Sequence, residues 1–151
     1  MAKVLIISGS VYGTATLVSD DIKAALEAAG HQVTHQEGGS ADSLAGEGLD
    51  LALICTSTTG SGDVPANLMD FENALFDAPP RVAGLKYAVI ALGDSSYGDS
   101  FCGAGKTLDR AMEDIGAVRV QEPLLIDAIE HSTPEDVAVP WAESLVAGLA
   151  S

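Results

Sequence analysis

The sequence predicts an α/β fold, a doubly wound five-stranded parallel sheet with helices on both faces. Three observations predict it. Five apolar runs, at residues 4–8, 32–36, 49–57, 87–93 and 118–126, alternate with helical patterns. Several of these runs are apolar throughout, as befits strands covered on both faces. The chain has 151 residues, 47% hydrophobic and only 5% aromatic, which suits one domain over residues 1–151 with an aliphatic core.

The helical patterns follow in order. After the first strand, Val18, Ile22, Ala25, Leu26 and Ala29 share one face, and Gly30 offers a left-handed cap. Between the second and third strands, Gly38, Gly39, Gly46 and Gly48 leave room for only a short helix near residues 41–45. Leu68, Phe71 and Leu75 group after Pro65, and Leu108, Met112 and Ile115 precede a stop at Gly116. A last helix begins at Thr133-Pro134, with the threonine as N-cap, the proline in its first turn, and Glu135 and Asp136 beside its positive end. Its expected buried stripe is Val137, Trp141, Leu145 and Leu149.

The chain carries 22 acids against 7 lysines and arginines, a formal charge of −15. That balance argues against nucleic acid or an anionic membrane as partner and favours a basic protein. Nine acids and no lysine or arginine lie between Lys23 and Arg81, and six acids and no such base follow Arg119. Cys55 and Cys102 form no CxxC pair, so neither a disulfide framework nor a metal site is indicated. The run at residues 4–7 is too short for a membrane span or signal core, and a cytoplasmic location is expected.

In such a sheet the ligand crevice lies beyond the carboxyl ends of the strands, at the switch in strand order. The loops after strands one, three and four should face it. The first reads Ser8-Gly9-Ser10-Val11-Tyr12-Gly13-Thr14-Ala15-Thr16 and runs into a helix. Its backbone N–H groups, the helix N-terminus and the hydroxyls of Ser8, Ser10 and Thr14 suit a phosphate without any formal cation. Taken alone it also reads as an ordinary capping turn. No P-loop lysine is present, and the glycines lack the dinucleotide G-x-G-x-x-G spacing, although Glu37 stands where a ribose partner could. A phosphorylatable receiver would want an aspartate where Ser8 stands. His31, His35 and His131 are isolated in sequence and expected at exposed or edge positions, and no Ser-His-Asp spacing appears.

The loop after strand three reads Thr56-Ser57-Thr58-Thr59-Gly60-Ser61-Gly62-Asp63-Val64-Pro65-Ala66-Asn67, and the loop after strand four Leu92-Gly93-Asp94-Ser95-Ser96-Tyr97-Gly98-Asp99-Ser100-Phe101-Cys102. These segments resemble the two isoalloxazine-binding loops of the flavodoxin family, S-T-x-G-x-G-x-x-P-x-N and L-G-D-S-x-Y-x-x-F-C. The resemblance spans essentially the whole chain and is greatest to the MioC-type short flavodoxins. It implies a flavodoxin-like strand order of 2-1-3-4-5, one non-covalent FMN, and a low-potential one-electron carrier with no catalytic residues and no metal.

By the same resemblance Ser8, Ser10, Val11, Tyr12, Gly13 and Thr14 form the phosphate loop, Tyr12 standing where threonine is common. Ser57, Thr58, Thr59, Gly60, Ser61 and Gly62 form the first flavin loop, and Leu92, Gly93, Asp94, Tyr97, Phe101 and Cys102 the second. Asp127, at a strand end, can approach the ring. Tyr97 stacks on the outer flavin face, while Thr59 replaces the aromatic that many flavodoxins place on the inner face. The Gly60 carbonyl can turn toward the flavin edge because glycine tolerates the positive φ of the alternative turn. The implied partners are a basic flavodoxin reductase and an acceptor redox enzyme, met transiently by a monomer, with a role in biotin formation suggested by the MioC likeness. A flavin-dependent NAD(P)H quinone or azo reductase, and a nucleotide-binding regulatory module without redox chemistry, are the alternatives.

An aromatic stack is worth about 0.5–1.5 kcal/mol beyond its area burial. Tyr97→Ala should therefore weaken FMN binding by about two- to tenfold in a fluorescence titration while leaving the thermal unfolding transition in place. An unchanged dissociation constant would remove Tyr97 from the flavin face.

Overall fold

A computed structural model describes residues 3–9, 14–37, 49–57, 69, 71, 73–74, 85–93, 103–121, 124–127 and 135–149. In chain order the elements are β1 (Lys3–Gly9), α1 (Thr14–Ala28), β2 (Gln32–Glu37), β3 (Leu51–Ser57), β4 (Lys86–Gly93), α2 (Gly103–Asp114), β5 (Val118–Arg119), β6 (Leu124–Asp127) and α3 (Glu135–Leu149). Residues 41–45 and the flavin-loop residues 58–62 and 94–102 lie outside the described set.

The strands form one sheet in the order β2-β1-β3-β4-β5, with β6 also pairing β4, and every pairing is parallel. The expected order is therefore observed. The expected fifth strand is two short ones, however: β5 pairs with Lys86 and Tyr87, and β6 pairs with Ile90 to Gly93. Between them the sequence runs Val-Gln-Glu-Pro, and Pro123 has no N–H to give a continuous ladder.

Side chains alternate between the two faces, so each strand divides its residues between two cores. Val4, Ile6, Leu53, Cys55, Ala88 and Ile90 pack with α1 and α3, whereas Leu5, Ile7, Ala52, Ile54, Tyr87 and Val89 pack with α2 and Phe71. Each fully buried aliphatic side chain contributes about 1.5–3 kcal/mol relative to an exposed one. Among the described residues no helix is long and apolar enough to cross a membrane.

Helix α1 buries Ala15, Val18, Ser19, Ile22 and Leu26. It ends where predicted: Gly30 has φ +94°, its N–H donates to the Glu27 carbonyl, and the His31 N–H donates to the Leu26 carbonyl. Gly116 closes α2 with the same paired bonds, to Glu113 and Met112. Helix α3 departs from expectation by one position. Its fully buried row is Ala138, Ala142 and Val146, while Val137, Trp141 and Leu145 are only partly buried against the same core. Small side chains on the inner row let α3 lie close to α1, and the larger ones cover the flanks.

On the other face Tyr87 is buried, and its hydroxyl donates to Asp109 Oδ1 at 2.7 Å. Arg119 Nη1 donates to Asp109 Oδ2 at 2.9 Å, so one carboxylate ties β4, α2 and β5 together. Burial first, and the neighbouring Asp109 second, push the Tyr87 phenol up from its ordinary value. Asp109 likewise raises the Arg119 guanidinium.

Cys55 is a free thiol in the sheet interior, pushed up to about 12 by burial, with a smaller opposing effect of the Ser19 hydrogen bond. In the fold it stays neutral, whereas the unfolded chain ionises it above 9.0. Stability tied to Cys55 is thus full below about pH 9 and is lost as pH rises toward about 12. In a Cys102→Ala background, a thiol reagent at about pH 8 should label no cysteine until denaturant is added. Stoichiometric labelling of the native protein would show that Cys55 is not sealed in the sheet.

Candidate functional site

Parallel register gathers four strand ends on one edge. Gly9 lies beside Thr56, Ser57 beside Leu92, and Gly93 beside Asp127. Helix α1 opens on this edge at Thr14, with the four residues 10–13 between it and the end of β1 at Gly9, and its first turn contains no acid. The contrast with α3 is direct, since that helix begins with its own Glu135 and Asp136. A helix N-terminus presents unpaired N–H groups and roughly half a positive charge. At α3 acidic side chains answer that charge; at α1 none in the first turn does.

At the end of β1, Ser8 is fully buried on the α1 side of the sheet. Its Oγ lies 2.7 Å from His35 Nε2 and 3.4 Å from Thr16 Oγ1. The other ring nitrogen, His35 Nδ1, lies 2.8 Å from Asp20 Oδ1. The His35 side chain is only 10% exposed, whereas that of Asp20 is 60% exposed. An ionised carboxylate can only accept, so Asp20 holds the hydrogen on Nδ1. Beneath them, the Ala15 carbonyl accepts from Ser19 Oγ at 2.8 Å and from Cys55 Sγ at 3.6 Å, fastening the first turn of α1 to β3.

His35 stands on the edge strand β2, as expected, but it is not isolated, and this row is a Ser-His-Asp grouping that no sequence spacing announced. Ser8, His35 and Asp20 stand in line, brought together by β1, β2 and α1. The arrangement is not that of a hydrolase, because the Ser8 hydroxyl has no exposed surface from which to attack a substrate. Its signal in the sequence was faint but present. Val33 and His35 alternate onto the same face of β2, and Thr16 and Asp20 are one turn apart on α1.

Of the residues expected at the site, Ser8, Thr14, Ser57, Leu92, Gly93 and Asp127 fall within the described strands and helix and reach this edge. The Leu92 side chain belongs to the core under α1 and α3, which leaves its main chain for a ligand. Ser10, Val11, Tyr12, Gly13, Thr58, Thr59, Gly60, Ser61, Gly62, Asp94, Tyr97, Phe101 and Cys102 lie outside the described residues.

The sequence profile of the flavodoxin family matches residues 6–141. The chain belongs to the flavodoxin family. It is 38% identical to flavodoxin YqcA of Pectobacterium carotovorum subsp. carotovorum over 144 residues, covering 95% of each protein. To the protein MioC of Escherichia coli K12 it is 35% identical over 146 residues, covering 97% of each. A solved cysteine-to-alanine variant of a Pseudomonas aeruginosa flavodoxin superposes with a TM-score of 0.89 at 42% identity, covering 99% of both chains. Flavodoxins are electron-transfer flavoproteins, not enzymes, and their cofactor is FMN. The edge fits such a group: a helix N-terminus with no acid in its first turn is what a flavin phosphate needs.

Proposed function

We propose that this flavodoxin is a low-potential, one-electron carrier in which a single domain, residues 1–151, holds FMN at the carboxyl edge of the sheet. The observation that carries the reading is the convergence of four strand ends on the α1 N-terminus, whose first turn lacks an acid. Ser8, Ser10, Tyr12, Gly13 and Thr14 hold the phosphate with neutral donors. The loop from Ser57 to Gly62 and the loop from Gly93 to Cys102 flank the ring, with Tyr97 against its outer face and Asp127 near its edge.

When bound, FMN supplies reversible single-electron transfer; the chain's task is to orient it, keep water from its faces and set its potential. With a formal charge of −15, the protein disfavours further negative charge in the crevice, which lowers the potential at which electrons are accepted. The same charge steers a basic reductase to the exposed flavin edge and releases it quickly, as a transient cytoplasmic carrier requires. The acceptor is a second redox enzyme, and the MioC likeness points to biotin formation. The carrier acts as a monomer.

Titration of the apoprotein with FMN should quench flavin fluorescence at one equivalent, and riboflavin, which lacks the phosphate, should bind about ten- to a hundredfold more weakly. Equal affinity for the two would dismiss the α1 edge as a phosphate site.

A further inference from the structure

Helix α3 carries a second face beside the row that it buries. Trp141, Ser144, Leu145 and Gly148 follow the i, i+3, i+4, i+7 spacing of one helix face, next to the buried Ala138, Ala142 and Val146. With Val120 and Gln121, just past β5, they line a cavity of about 440 Å³. Trp141, Leu145 and Val120 rest on the core with part of their surface open, and Val118, on the same side of β5, is 49% exposed. Gln121, Ser144 and Gly148 at the mouth of the cavity are exposed.

Gly148 shows how closely this face can be approached. Glycine weakens a helix relative to alanine. A Cβ at this position would meet no atom within 4 Å, so packing within the chain does not require the glycine. Together with Ser144 one turn earlier, it leaves a groove beside the ridge of Trp141 and Leu145, and a second helix can lie in such a groove with its axis about 8–10 Å away. The groove is remote from the cofactor edge. The Val120 N–H donates to the Tyr87 carbonyl, and Tyr87 stands six positions before Gly93, roughly 20 Å of strand.

Charge decides the sign of the occupant. Six acids and no lysine or arginine follow Arg119, and Arg119 itself is turned to Asp109 on the opposite face of the sheet. Glu143 is exposed on α3, and no basic side chain answers the negative end of that helix in its last turn, where Gly148 lies. Lys86, beside Val118 at the start of β4, is the opposing charge on this side. A second copy of the chain would bring another formal charge of −15 to the groove and is repelled.

We propose that the groove between α3 and β5 is a docking site for a partner protein that presents an amphipathic helix, with lysine or arginine flanking a large apolar side chain. The apolar side chain enters the cavity against Trp141 and Leu145, and a flanking guanidinium lies over the indole or near the last carbonyls of α3. A partner seated there holds the protein while its carboxyl edge stays uncovered. The inference does not depend on what that edge binds.

The probe is a labelled synthetic helix of about 15 residues without tryptophan, with leucines at i, i+3, i+4 and i+7 and arginines on their flanks. Its control is a shuffled peptide of the same composition and charge, which has no apolar face. Both are titrated into the FMN-loaded protein by fluorescence anisotropy at about 0.15 M salt, where unspecific attraction is screened. Trp141 is the chain's only tryptophan, so its emission reports on the groove directly. The patterned peptide should bind about tenfold or more tightly than the shuffled one, shift the Trp141 emission to the blue and leave the flavin absorbance unchanged. Gly148→Gln, which fills open space from an exposed position, should remove about fivefold or more of that preference without lowering the unfolding temperature, and Glu143→Arg should weaken binding of both peptides. Equal affinity for the two peptides, or a Gly148→Gln protein that binds as the unaltered one does, would overturn the proposal. So would a dimer of the unaltered protein in sedimentation equilibrium that Gly148→Gln dissolves, since the groove would then belong to a second copy.

Discussion

The lateral pairing of β1 between β2 and β3 is the constraint from which the carboxyl edge follows. Both neighbours are parallel to β1, so all three strands end together and Ser8 stands level with Glu37 on one side and Cys55 on the other. A slip of one residue in β1 would turn Val4, Ile6 and Ser8 to the opposite face. The hydrophobic core prevents this, because Val4 and Ile6 are buried against α1 and α3 while Leu5 and Ile7 are buried against α2. Apolar packing thus decides the placement of a polar group. Ser8 reaches His35 because two aliphatic residues earlier in the strand cannot face the other way.

Much of this architecture was legible in the sequence, and the reason differs between elements. Strands buried on both faces must be apolar nearly throughout, which is why β1, β3 and β4 stand out as runs and were located to within two residues. The ends of α1 and α2 were legible because Gly30 and Gly116 occupy positive-φ caps. The split between β5 and β6 was hidden inside a single apolar stretch whose interruption is Pro123. In α3 the inner row is alanine and valine, and small residues carry little hydropathic signal, so the bulkier neighbours attracted the assignment one position away.

The site shows the same division. The flavin loops are recognisable as motifs, since a short run of glycines and hydroxyl residues has no periodicity to read. The contact of His35 with Ser8 depends on two elements 27 positions apart in the chain, and its contact with Asp20 on a third. Single-residue reasoning treats a lone histidine on a strand as an edge residue. Only the register of β1 against β2, with Ile6 beside His35, brings the ring over the end of the strand.

Function then follows from what the edge offers, a helix N-terminus with no acid in its first turn, in a chain with a large excess of acid. The family's role is electron transfer. The central claim is that the electrons arrive from another protein. The direct measurement is anaerobic mixing of the FMN-loaded protein with NADPH, first alone and then with a catalytic amount of a basic flavodoxin reductase, while the flavin absorbance is followed. The account predicts no bleaching with NADPH alone and rapid bleaching once the reductase is present. Rapid bleaching by NADPH without the reductase would contradict it and make this chain a reductase in its own right.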